Sequence, residues 1–496
     1  MNLFFAGHQE KYAVEQTLLT LFPQERPVYP DTPPGGDNEL VLSFSRGSQW
    51  CTARAVLRRG GKTYVRQCRV AAAELPAEDP VVSTRLTRRT LQRAFYLAAV
   101  DCLGTEPPWG MLSGVRPVKL PTRAMEAGAS PRQAEAMLRD QYRVSPLRRQ
   151  LAMDCAQASL AVKRDLKPQE ISLYVGIPFC PTRCAYCSFI SASGSANRLI
   201  PDYLDALLAE IDAAGAAARR AGKTVRSVYL GGGTPTTLEA PQLAELLDRL
   251  RRAFQLAPGT ECTVEAGRPD TITREKLIAI REGGGNRISV NPQTMSDKVL
   301  AAVGRRHTAR QTIEAFYQAV RAGFDDINMD LIAGLPDDDE EGFADSIRQV
   351  LALGPSNITV HTLALKKGAA LFSSRAPLPP QEAVAAMLAG AEDALRDNGY
   401  EPYYLYRQKY MSGSFENTGW CRPGYTGLYN IYMMEELHTI LSLGGGGMNK
   451  INLPEEKLAR YHNPKIPQDY ISRIDTILQQ KDEIFSLLRQ IREQNP

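Results

Sequence analysis

Three cysteines stand within eight positions in the stretch CPTRCAYC: Cys180, Cys184 and Cys187, separated by three and then two residues. Thiolates select zinc, copper(I) or iron–sulfur clusters among the metals a protein can hold. A structural zinc site takes four ligands, commonly as two pairs, yet no second CxxC or HxxxH follows here. A [4Fe–4S] cluster is ordinarily held by four cysteines. Three would leave one iron open, which is useful only if something other than the protein binds that iron. The spacing therefore predicts Cys180, Cys184 and Cys187 as the ligands of such a cluster. A zinc site completed by distant Cys262 or Cys421 is the alternative. The six other cysteines, Cys51, Cys68, Cys102, Cys155, Cys262 and Cys421, are scattered singly and are expected as buried free thiols.

Chemistry of this kind needs a scaffold that brings distant segments to one place. From residue 171 the sequence alternates short apolar strands with amphipathic helices. Strands are predicted at 171–177, 226–231, 261–266, 286–291, 326–332 and 357–364, with helices near 199–221, 240–254, 272–282, 309–322 and 340–353. Six βα units in a row predict a parallel sheet with helices outside, either a partial barrel or a doubly wound sheet. Such sheets bind ligands at the carboxyl ends of their strands. The cysteine loop follows the first strand, and YLGGGTPTTL ends the second, with glycines that let a ligand approach the backbone. Glu265 ends the third strand, Gln293 follows the fourth, Arg305 follows a short helix and Asp330 lies in the fifth strand, so these polar groups line one face.

Residues 1–165 read as an α+β domain: a strand at 2–7, a helix at 10–22, and alternating strands over 38–72 with a hairpin at RRGGK, residues 58–62. The pattern over 85–163 is helical, broken by the prolines and glycines of PPWGMLSGVRPVKLP. Residues 166–375 hold the βα units. Residues 376–496 read as a mostly helical C-terminal domain covering the substrate side, with helices at 380–398, 428–441 and 467–493 around an aromatic-rich and a glycine-rich stretch.

The 496-residue chain has 43% hydrophobic and 23% charged residues and a formal charge of +4. This balance gives no reason to expect nucleic acid, and the basic RLTRRTLQR reads as a solvated helix face. No stretch approaches the ~18 apolar residues of a membrane span. The apolar NLFFAG is too short for a signal peptide. A cytoplasmic chain without a disulfide framework is expected.

CPTRCAYC resembles the signature of the radical S-adenosylmethionine (SAM) superfamily. The resemblance implies a full or partial (βα) barrel, a [4Fe–4S] cluster on the three cysteines, and SAM chelating the fourth iron through its amino and carboxylate groups. It also implies that GGGTPT contacts the methionine amino group. Arg305 suits the ligand's carboxylate, as a fixed-charge bidentate donor, and Asp330 suits ribose hydroxyls or the amino group. The whole set is similar to the oxygen-independent coproporphyrinogen III dehydrogenase family over about 171–450. In that family, positions matching Tyr174, Tyr186, Gly232, Gly233, Thr234, Glu265, Gln293, Arg305, Asp330 and Ala364 contact SAM. GVRPVKL and YYLYRQKYMSGSFENTGW resemble its HemZ-type branch.

The implied reaction is oxidative decarboxylation of two propionates of coproporphyrinogen III to vinyls, giving protoporphyrinogen IX in haem biosynthesis. The implied partners are a tetrapyrrole substrate and a low-potential electron donor of flavodoxin or ferredoxin type. Arg407, Lys409 and Lys366 are candidates for the substrate's carboxylates, and no residue is assigned a catalytic role. Two departures from the dehydrogenase and chaperone patterns stand out. Phe189 occupies a position where the dehydrogenase type carries a further cysteine. The related haem chaperones also have Phe there, but Tyr429 stands where their haem-binding His would be, and the nearby His438 is expected at the surface. A haem-binding chaperone and an anaerobic haem-degrading or methyl-transferring enzyme remain the alternatives.

Overall fold

The computed structural model describes residues 1–33, 35–76, 78–189, 191–366, 368–374, 376–408, 415–454 and 457–494. They fall into two compact units. The first comprises residues 1–117 and 124–151. Its four strands, β1 (Asn2–Ala6), β2 (Glu39–Arg46), β3 (Trp50–Arg59) and β4 (Lys62–Ala71), lie in chain order, with β1 parallel to β2 and the others antiparallel. Leu40, Leu42 and Phe44 alternate along β2 and share a core with Leu18 and Phe95 from the helices Lys11–Leu21 and Pro80–Leu103. The predicted hairpin is present: Gly60 and Gly61 take φ of 59° and 70°, the positive pair that a tight two-residue turn requires.

The second unit comprises residues 118–123 and 152–496. Its sheet is built on β5 (Glu170–Ile177). A two-residue parallel pair, β6 (Phe179–Cys180) with β7 (Ala192–Ser193), ties together the ends of the cysteine loop. Then follow β8 (Thr224–Gly232), β9 (Glu261–Glu265), β10 (Arg287–Ser289), β11 (Asp326–Ala333) and β12 (Asn357–Thr362). These five and β5 run parallel as neighbours, which are the six strands expected of a partial radical SAM barrel. Leu173, Val175 and Ile177, at alternate positions of β5, make one wholly buried apolar face of that strand. The outer helices turn a leucine stripe inward; on Ala240–Phe254 it is Leu243, Leu246, Leu247 and Leu250.

The C-terminal region adds the helices Gln381–Asp397, Leu428–Glu435, Pro467–Ser472 and Ile474–Gln494, and also five strands that the sequence pattern did not mark. They are β13 (Glu401–Arg407), β14 (Glu416–Cys421), β15 (Ile440–Gly444), β16 (Met448–Asn452) and β17 (Leu458–His462), and the whole sheet runs β13-β14-β12-β11-β10-β9-β8-β5-β15-β16-β17. The helix predicted over 428–441 stops at Glu435, because Glu436 turns left-handed at φ 54° and the chain then pairs parallel with β5. β14 is glycine-bearing because a Cβ on Gly419 would collide with the ring of Tyr404 on β13.

This C-terminal return is fastened by a buried charge pair. Lys481 and Glu210 are both wholly buried, 3.2 Å apart. Glu210 also accepts from Gly444 N at 2.6 Å, Tyr470 Oη at 2.5 Å and Asn463 Nδ2 at 3.0 Å. Lys481 donates to the Ser442 carbonyl and to Asn449 Oδ1. No described helix is long and apolar enough to cross a membrane.

Candidate cluster and cofactor site

A cavity of 340 Å³ opens at the carboxyl ends of β5 and β8–β12. Cys180, Cys184, Cys187, Tyr186, Gly232, Gly233, Thr234, Glu265, Gln293, Arg305, Asp330 and Ala364 all line it. Tyr174 does not. It lies behind the wall, its hydroxyl 3.1 Å from where a Cβ on Gly232 would be. Its ring stacks with those of Tyr229 and Tyr429, at 6.4 and 6.5 Å between centroids.

The three thiols are free and come from one loop. The loop is held by Cys187 N to Cys184 O at 3.1 Å, Ala185 N to Val303 O at 2.9 Å, and Arg183 to the Gly368 carbonyl at 2.7 Å. Cys180 Sγ lies 3.5 Å from Thr234 Oγ1. Among the described residues no three His, Cys, Asp or Glu side chains gather tightly enough to bind a single ion. All three thiols line the one cavity, and in a cluster each thiolate takes its own iron. Cys262 and Cys421, the candidates for completing a zinc site, are buried in β9 and β14 and do not line this cavity.

The wall facing the thiols fits a polar ligand. Gly232 has φ 108°, and a Cβ on Gly233 would meet the carbonyl oxygens of Phe179 and Ile177, so only glycine keeps this backbone close. Arg305 is anchored to Asn291 O at 2.7 Å and Gly267 O at 3.1 Å, and its Nε is buried without a partner. Gln293, held at φ 70°, has a buried Oε1 that is also unpartnered. Buried polar atoms are ordinarily satisfied, so these two are vacancies that a polar ligand would fill.

On the neighbouring strands β11 and β12, His361 Nε2 lies 3.5 Å from Asp330 Oδ2. Burial alone would raise the Asp330 carboxyl, but bonds from His361 and Asn328 more than offset it and hold it below the usual range. His361 Nδ1 faces Asn417 Oδ1 at 3.3 Å, an atom that also accepts from Thr362 N. Both ring nitrogens therefore face acceptors. Burial works against the charged ring, yet the bond and charge of Asp330, the Asn417 contact and the charge of Glu265 together outweigh it and move the pKa of His361 upward.

Glu265 is the opposite case. Burial is the largest effect on its carboxyl, which is pushed up to about 7 despite a 2.5 Å bond from Tyr229 Oη. The folded chain without cofactor thus keeps a proton that the unfolded chain releases above about pH 4.5. The stability this proton confers is fully present below that pH and is lost as pH rises through about 7. Between these limits the parent is expected to lose about 3 kcal/mol more stability than Glu265→Gln, from ~1.4 kcal/mol per pKa unit. Urea unfolding at both pH values reads the difference, and superimposable profiles would refute the assignment.

Of the basic candidates, Lys366 lines the cavity half-buried, and burial lowers its pKa. Arg407 lies in β13, buried and outside the cavity wall, with burial bringing its pKa down to about 10. Lys409 lies outside the described residues. Phe189 lines the cavity and is 66% exposed. His438, expected at the surface, is instead 6% exposed. Its Nε2 lies 2.7 Å from Ser172 Oγ on β5, and burial pushes its pKa down to about 3. Tyr429 is 4% exposed, and Glu261 caps the start of its helix by accepting from Leu428 N and Tyr429 N. Sequence reasoning missed Arg268, His361, Tyr406 and Asn417, all of which line the cavity. The nearest signals were the placement of Arg268 three residues after Glu265 and of His361 at the end of the sixth strand.

Residues 174–350 match the sequence profile of the Radical SAM superfamily. The oxygen-independent coproporphyrinogen-III oxidase-like protein HemZ of Bacillus subtilis (strain 168) is 38% identical over 398 residues, 79% of this chain and 79% of that protein. The heme chaperone HemW of Escherichia coli (strain K12) is 29% identical over 307 residues, 62% of this chain and 77% of its own. The solved structure of coproporphyrinogen III oxidase (HemN) from Escherichia coli, a radical SAM enzyme, aligns with a TM-score of 0.52 at 25% identity, covering 64% of this chain and 72% of that one.

Proposed function

Because this chain belongs to the radical SAM family that includes HemZ, we propose that it is an oxygen-independent coproporphyrinogen III dehydrogenase. The family's cofactors, a [4Fe–4S] cluster and SAM, supply a carbon-centred radical that takes a hydrogen atom from the substrate. Each of two propionates loses that hydrogen from its β-carbon, then carbon dioxide and one electron, and becomes a vinyl group. The electron passes to an acceptor, and a low-potential donor of flavodoxin or ferredoxin type serves the cluster.

The chain's own groups take the following parts. Cys180, Cys184 and Cys187 each hold an iron. Arg305 meets the SAM carboxylate through its unpartnered Nε, while Gly232, Gly233 and Thr234 offer backbone and hydroxyl contacts. Asp330, kept ionised by His361, receives ribose hydroxyls or the amino group, and Glu265 shares that task. Tyr186, Gln293 and Ala364 complete the wall, and Tyr174 supports Gly232 from behind. Lys366 meets a propionate at the mouth, where Phe189 offers an apolar surface to the macrocycle. Tyr406, Gln408 and Asn417 bring the C-terminal region to the substrate side.

The observation favouring an enzyme over a haem carrier is that Tyr429, which stands where the chaperones' haem-binding His would be, and the nearby His438 are both buried. Tyr429 is locked in a stack of three tyrosines, 4.6 Å from Tyr229 between centroids, and His438 is engaged by Ser172. The test is anaerobic reconstitution followed by reductant, SAM and coproporphyrinogen III. Mono- and divinyl products are expected by mass, with 5′-deoxyadenosine tracking substrate loss. Stoichiometric haem binding with no vinyl product, or alteration of haem alone, would overturn the proposal.

A further inference from the structure

Arg268 follows the end of β9 in the sequence EAGRPD, and its residue is only 2% exposed. Its guanidinium is used at two ends. Nε and one terminal nitrogen grip Asp270 bidentately, at 3.0 and 2.9 Å from its two carboxylate oxygens. The other terminal nitrogen points to the cysteine loop, 2.8 Å from Thr182 Oγ1, 3.2 Å from Thr182 O and 3.9 Å from Cys184 Sγ. The positive end thus faces a cluster thiolate, and the compensating carboxylate holds the opposite edge. His307 lies near this pair, and burial pushes its pKa down to about 4. Arg305 is a further charged group beside Cys184, its Nη1 donating to Asn291 O, and Arg183 of the loop itself donates to the Gly368 carbonyl.

We infer that Arg268 is a positioning residue of the cluster: it fixes the Thr182–Cys184 side of the loop, and its charge at Cys184 sets the cluster's reduction potential. Reduction adds one electron, supplied by the low-potential donor, to the iron–sulfur core. A fixed cation a few ångströms from a ligating sulfur favours that added charge, and an N–H···S contact withdraws density from the thiolate. Arginine is suited to this because its guanidinium stays charged when buried and its planar fork binds carboxylate and loop at once. The inference depends on the cluster and not on which tetrapyrrole is the substrate.

The test is an EPR-monitored redox titration of the reconstituted protein, without SAM or substrate, with iron per chain measured alongside. Arg268→Gln is expected to shift the potential to more negative values. Arg268→Lys, which keeps the charge, is expected to shift it less. Asp270→Asn keeps the guanidinium but removes its opposing carboxylate, and is expected to shift the potential the other way, to less negative values. Opposite signs for Arg268→Gln and Asp270→Asn are what a purely structural brace would not produce. If Arg268→Gln holds no iron, Asp270→Asn and Arg268→Lys carry the test. Parent-like potentials in the variants, or shifts in the same direction for the charge-removing and carboxylate-removing changes, overturn the inference.

Discussion

Cys184→Ala is expected to lose the cluster and, with it, all but a trace of SAM cleavage. Three thiolates are the fewest that leave one iron open while gripping the other three, and the remaining two cannot hold the cube against loss. No nearby thiol can take over, because Cys262 and Cys421 are buried in strands away from the cavity. Iron should fall well below about four per chain, and formation of 5′-deoxyadenosine should drop by about a thousandfold or more, a modest part of what enzymes gain over the uncatalysed rate. Cys262→Ala is the matched control and should keep both iron and cleavage. A Cys184→Ala protein with full iron would remove the basis for the site described here.

The largest stability effect is expected at Lys481. Its ammonium and the Glu210 carboxylate are wholly buried, and Glu210 collects three further donors from Gly444, Asn463 and Tyr470. Removing one member of such a pair leaves the other charge stranded, which costs about 3–5 kcal/mol. Lys481→Ala should therefore lower the urea midpoint of the second unit sharply. Lys481→Met, which keeps most of the volume, should remain destabilised. Adding Glu210→Gln to it should recover a large part of the loss, since the stranded charge is then gone. A Lys481→Ala protein within about 1 kcal/mol of the parent would mean that the pair contributes no more than an exposed one.

What could be read in the sequence was what is local in sequence. The cysteine spacing, the glycine run after the second strand and the βα alternation are encoded in contiguous residues, and the cavity gathers the strand-end polar groups for that reason. Tyr174 shows the limit: its position on a strand was clear, but which side of the wall it serves depends on Gly232 and Tyr429 from other segments. His438 reads as an ordinary helix-surface residue until β15 docks on β5 and brings Ser172, 266 positions earlier, against its ring. Arg268 and His361 gain meaning only through Thr182, Cys184, Asp330 and Asn417, none of which is adjacent in the chain. The strands β13–β17 are hard to see because aromatic and glycine-rich sequence lacks the clean alternation of a half-exposed strand; Tyr403 and Tyr404 are both buried.

The pairing of β15 with β5 also has a bearing on biosynthesis. A ribosome releases residues 170–177 long before 440–444, so the strand from which the iron-binding loop springs has an unpaired edge during most of translation. Open edges invite pairing with other chains, and contacts this remote in sequence form late. A nascent chain stalled before Ile440 would display that edge to its neighbours. A chain truncated before Ile440 is therefore expected to expose the β5 edge and aggregate, whereas one truncated beyond the β15 strand keeps that edge paired.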